Sequence, residues 1–137
     1  MRDQLLVITT ALLLLSPLQA EPTRVLNQSR PGEHFDVGYY LKKGKMNVVV
    51  FYSEYSPASL AFLKRLETLA SADSQLEVSL LNIDRKNATS IDWRSPLAQD
   101  LNLKSLPFVV LYDGKVPLKQ GYEARRLLLN RADLLAR

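Results

Sequence analysis

The most continuous apolar run in the folded part of the chain is Val48-Val-Val-Phe-Tyr52, preceded by Asn47. An unbroken stretch of β-branched and aromatic residues reads as a strand buried on both faces. A short polar turn with a proline follows, Ser53 to Ser59. Beyond it, apolar residues recur at Phe62, Leu66 and Leu69, with Leu63 and Ala70 beside them, which is helical spacing. The unit is therefore strand, tight turn, helix. Its turn lies at the strand's carboxyl end, where open α/β sheets build their sites.

The pattern on either side extends this unit. Glu33 to Val37 reads as a short first strand, and Val37 to Leu41 as a helical turn ended by Lys42-Lys-Gly-Lys45. Gln75 to Asp84 begins by alternating, with Leu76, Val78 and Leu80 between Glu77 and Ser79, and continues through Leu81 and Ile83 as a strand. Arg85 to Arg94 is a polar loop carrying Trp93. Ser95-Pro96 is a helix start, serine capping and proline in the first helical position, with Leu97, Ala98 and Leu101 on the apolar side. Phe108 to Tyr112 is a further strand, turned by Asp113-Gly114, since glycine accepts the positive φ of a hairpin. Lys115 to Gly121 would return as an edge strand, where Pro117 is tolerated. Glu123 to Arg137 closes the chain as a helix, with Leu128, Ala132 and Leu135 inward and Arg125, Arg126 and Arg131 outward. The order β-α-β-α-β-β-α predicts a mixed sheet with helices on both faces.

Four features of this pattern resemble the thioredoxin superfamily. Tyr55 stands where its active-site strand ends in an aromatic residue, and Ser56-Pro57-Ala58-Ser59 stands where Cys-x-x-Cys would. Leu106-Pro107 matches the apolar residue and cis-proline that open the following strand. Leu81-Asn-Ile-Asp84 is similar to the end of the family's next strand, and Gly44-Lys45 to the approach of its periplasmic members. The resemblance covers residues 33 to 137. It implies a thioredoxin-like three-layer α/β/α sandwich with a mixed central sheet. Both sulfurs are missing, and Val50 falls where many thioredoxins carry a buried aspartate that helps move a proton. The resemblance thus implies a redox-inactive member. It also implies a groove in which the backbone of Leu106 pairs with an extended polypeptide. Tyr55, Ser56, Pro57, Ser59, Leu106, Pro107, Phe108 and Trp93 are its expected binding residues.

The first twenty residues read differently. Arg2 supplies a positive start, Leu5 to Leu15 an apolar centre, and Ser16-Pro-Leu-Gln-Ala20 a cleavage segment ending at Ala20. The apolar run is about half of the ~20 residues a membrane span needs. A signal peptide cleaved after Ala20 implies a periplasmic or secreted product with no integral membrane span. Residues 21–32 are polar and read as a flexible lead-in.

Composition narrows the chemistry. There is no cysteine among the 137 residues, which excludes disulfides, thiolate nucleophiles and thiolate metal sites. The single histidine, His34, excludes sites with two imidazoles, so no metal or cofactor is expected. The net charge is +4, but its lysines and arginines are scattered among acids. That argues against a nucleic-acid stripe. Ser56 and Ser59 have two readings, as the polar floor of a groove or as plain helix caps. Neither has a base nearby in sequence, so serine catalysis is not expected. Two glycosylation patterns occur, Asn27-Gln-Ser29 and Asn87-Ala-Thr89. The expected activity is non-covalent binding of a polypeptide by a monomer, as a chaperone-like or adaptor module. The alternative is a structural subunit of an envelope complex with no groove in use.

Overall fold

The computed structural model describes residues 22–136. The proposed signal peptide therefore lies outside the described residues. Five strands, β1 (Thr23–Val25), β2 (Met46–Tyr52), β3 (Leu76–Asn82), β4 (Phe108–Asp113) and β5 (Val116–Gln120), form one sheet in the order β1-β3-β2-β4-β5. Strand β2 is central, parallel to β3 on one side and antiparallel to β4 on the other. Strand β1 adds in parallel to β3, and β5 is the antiparallel far edge.

The continuous apolar run of β2 has its cause in the layers. Val48, Val50 and Tyr52 face one core, with Phe62, Leu66 and Ala70 of helix α1, Pro57–Ala72, and Ala124 and Leu128 of helix α3, Tyr122–Ala136. Val49 and Phe51 face the other core, with Leu97 and Ala98 of the short helix α2, Pro96–Asp100, and with Leu41, Leu81 and Ile83. Val48, Val49 and Val50 are completely buried. Each such side chain contributes roughly 1.5–3 kcal/mol relative to exposure. The mixed sheet with helices on both faces is thus as expected.

Several local expectations are corrected. Residues 22–32, within the stretch read as a flexible lead-in, instead supply β1 and its tether. Leu26 N–H continues the ladder to Leu80, and the Asn27 amide brackets Asn82, donating to its carbonyl at 2.8 Å and accepting its N–H at 3.0 Å. Asn27 is buried in this role, so its glycosylation pattern is not presented to solvent. Glu33 to Val37 is not a strand. Phe35 and Val37 pack onto the second core, and the Asp36 carboxylate accepts the Gly38 N–H to start a 3-10 turn over Val37–Tyr40. The hairpin shifts by one residue: Asp113 still pairs with Val116, and Gly114, at φ +57, takes the first of the two loop positions. Pro117 sits opposite Tyr112 beside a register shift in the edge strand, where its missing N–H is tolerated.

On α3 two of the outward arginines are half-buried. Arg125 lies over the Phe62 ring, and Arg131 donates its Nε–H to the buried Asp73 carboxylate. Leu128 is inward as expected, and the side chains of Ala132 and Leu135 lie outside the described residues.

Candidate functional site

The corner between β2 and α1 is built on hydroxyls. Ser53, fully buried, donates to Asp84 Oδ2 at 2.7 Å and accepts the Tyr55 N–H at 3.0 Å. Ser56 has an extended backbone, φ −104 and ψ 108, and its Oγ accepts the Ser59 N–H at 3.1 Å. Pro57 fills the first helical position, where a missing N–H leaves nothing unsatisfied. Ser59 is fully buried, and its Oγ accepts the Ser53 N–H at 3.5 Å. Both serine hydroxyls of the turn therefore accept backbone N–H groups, Ser56 one that the helix start would otherwise leave free and Ser59 the one that follows β2.

Tyr55 is half-exposed, and its hydroxyl donates to the Ala88 carbonyl at 2.7 Å. This ties the turn to the loop after β3. Asp84 ties the same loop from below, since its Oδ1 accepts the Asp92 N–H at 2.9 Å. Arg85 closes the tie with two bonds to Asp92, at 2.7 and 3.1 Å, and holds that carboxyl below the usual carboxylate range. Beside the corner, burial, with help from the Glu54 and Asp84 charges, pushes the Tyr52 phenol up to about 12. Tyr52 therefore stays protonated at ordinary pH. Sequence reasoning assigned no role to Ser53 or Asp84. The only signal was Asp84 closing the Leu81-Asn-Ile-Asp84 run.

Leu106 and Pro107 precede β4, and the peptide bond between them is cis, as expected. Because β4 runs antiparallel to β2, its first residue meets the last turn of β2. Phe108 pairs with Phe51, their rings 6.1 Å apart. Leu106–Phe108 and Tyr55–Ser59 accordingly share one end of the sheet. Leu106 is half-buried against the second core, and neither its N–H nor its carbonyl has a hydrogen-bond partner among the described residues. No hydrogen bond joins Trp93 to the turn among the described residues. Trp93 lines a hollow of about 330 Å³ with Asn102, Leu103 and Lys104, and its carbonyl accepts the Gln99 side-chain amide at 3.0 Å. His34 is exposed and paired with Asp100 at 2.5 Å. Among the described residues no group of three or more His, Asp or Glu side chains is placed to hold a metal ion.

No protein-family model matches the chain, and neither does any curated protein. Solved structures do. Trichomonas vaginalis thioredoxin superposes with a TM-score of 0.59 at 15% identity, over 84% of this chain and 99% of that one. The short form of spinach chloroplast thioredoxin f gives 0.57 at 15% identity, over 87% and 99%. The fold is thioredoxin-like. Arabidopsis thaliana thioredoxin O2 in its oxidised state agrees, at 0.55 and 14% identity over 84% and 96%. Identities this low carry the thioredoxin-like fold and nothing about activity. Within that fold, the chain has no cysteine with which to perform thiol-disulfide exchange.

Proposed function

We propose that this thioredoxin-like domain works in the cell envelope, as a redox-inactive chaperone-like or adaptor module that binds an extended polypeptide non-covalently. Ser56-Pro57-Ala58-Ser59 stands in place of a redox dithiol, and the ligand lies between Tyr55–Ser59 and Leu106–Phe108. The observation that carries the reading is the unpaired backbone of Leu106 at the same end of the sheet as the turn. An extended peptide can satisfy that N–H and carbonyl by strand addition. Half-exposed Tyr55 adds an aromatic surface with a polar tip, which suits an interface. The hydroxyls of Ser56 and Ser59 support binding over chemistry, because both are buried and turned onto backbone N–H groups.

A second reading, a subunit with fixed partners, is favoured by one feature. Val116 and Leu118 on the β5 edge and Tyr122 at the start of α3 are all exposed. A photo-crosslinking residue at Tyr55 and another at Leu118, tested in cells, separate the two. Products from Tyr55 alone support the groove. Products from Leu118 alone support the subunit.

A further inference from the structure

A larger hollow than the one beside Trp93 lies at the same end of the sheet as the proline-bearing start of β4, but beside β1 and β3. It is an open basin of about 740 Å³ between the loop after β1 and the loop after β3, and Tyr55 is not among its lining residues. We propose that this basin is a second binding site, which takes a carboxylate carried on a body rich in hydroxyl or amide groups.

The walls are fixed without a ligand. Gly32, at φ +77, lets the two loops touch: a Cβ there would lie 2.7 Å from the Arg85 nitrogen and 2.9 Å from the Ile83 carbonyl oxygen. The Gly32 N–H donates to Asn82 at 2.9 Å, and its carbonyl accepts the Leu97 N–H at 3.0 Å. The opposite loop is held by the Ala88 N–H on the Arg85 carbonyl at 2.9 Å, and by the Tyr55 hydroxyl on Ala88. A wall already ordered costs a ligand little to engage.

Charge then selects the ligand. Three cations and two acids line the basin, leaving one net positive charge. Asp92 is taken by Arg85, and Glu33 faces the same guanidinium. Arg30 and Lys86 have no ion-pair partner among the described residues. One net charge is too little for a polyanion, whose binding scales with the number of contacts neutralised. It is enough for a single carboxylate, which a guanidinium receives through two parallel hydrogen bonds. Around the two free cations the rim offers Asn87, Thr89 and Ser90, which both donate and accept. The carboxylate can come from a free sugar acid or from an acidic side chain of a polypeptide.

The test is amide chemical-shift titration of the full chain with sodium glucuronate at constant ionic strength, with glucose and acetate as controls. Saturable shifts confined to residues 29–33 and 85–92 are expected with glucuronate, weaker ones with acetate, and none with glucose. The exposed double variant Arg30→Gln/Lys86→Gln should weaken the apparent Kd about tenfold or more, as loss of charge-assisted bonds implies, and leave the remaining spectrum in place. A blocked Gly-Glu-Gly peptide, compared with Gly-Gln-Gly, forms the second arm. Tighter saturation by the glutamate peptide than by glucuronate assigns the carboxylate to a polypeptide, and the reverse assigns it to a small molecule. The site is refuted if neither probe saturates, if shifts fall equally on Lys43 and Lys115, or if the double variant binds unchanged.

Discussion

The Ser56 hydroxyl accepts the Ser59 N–H at 3.1 Å, joining the two ends of the turn through a helix cap. The capping oxygen and the donor it satisfies lie three positions apart, the spacing of the sulfurs in a Cys-x-x-Cys motif. On the proposed reading, oxygen takes the place of sulfur at that spacing.

Removing that cap has a defined cost. Ser56→Ala leaves the Ser59 N–H of a buried helix start without its partner and should lower unfolding free energy by about 1 kcal/mol. Ser56→Asp, which keeps an acceptor at the cap, should lose much less. Urea unfolding of the three proteins reads both effects, and equal losses in the two variants would contradict the capping role.

Asn47 anchors the opposite end of the same strand. Its buried amide donates to the carbonyls of Lys42 at 3.0 Å and Gly114 at 2.7 Å, and accepts the Lys42 N–H at 3.0 Å. It thereby staples the loop before β2 to the β4–β5 hairpin. Asn47→Ala leaves those groups unpaired and should cost about 2–3 kcal/mol. Asn47→Asp should not rescue it at neutral pH, because a carboxylate has no hydrogen to give the two carbonyls. Thermal unfolding at pH 7 provides the comparison.

The Asp73–Arg131 pair sets a pH dependence. The hydrogen bond from Arg131 holds the Asp73 carboxyl below its ordinary value. The unfolded chain then binds a proton at higher pH than the folded one, so stability rises with pH across the interval between the two values. The contribution is complete above the ordinary carboxylate range near 4 and is lost as pH falls through the folded value. Asp92, held down by Arg85, acts in the same direction. Asp73→Asn should lower stability at pH 7 and flatten the acid side of the stability curve. Denaturant midpoints from pH 7 down to pH 2.5 test this, and an unchanged acid slope would contradict it.

The parts of the fold legible in the sequence are those whose pattern is local. β2 showed itself because burial on both faces leaves no polar position between Val48 and Tyr52. α1 showed itself through the spacing of Phe62, Leu66 and Ala70. β1 did not: its three residues are held by pairing with β3, and Thr23-Arg-Val25 has no period to read. Phe35 and Val37 suggested a strand because apolar alternation does not distinguish a ladder from two side chains tucked under a 3-10 turn. At the corner, serine and proline announced a helix start. The Ser53–Asp84 bond beneath it joins residues 31 apart in sequence, a separation no local pattern spans. Arg125 and Arg131 read as solvated until the fold set Phe62 and Asp73 beside them.

The proposal that serines stand for cysteines at a thioredoxin-type corner is tested most directly by restoring the sulfurs. Insulin reduction with dithiothreitol should be measured for the natural chain and for Ser56→Cys/Ser59→Cys. The natural chain should add nothing to the dithiothreitol background. The double variant should form an internal disulfide and accelerate reduction. Turnover by the natural chain, or a double variant whose two thiols never pair, would contradict it.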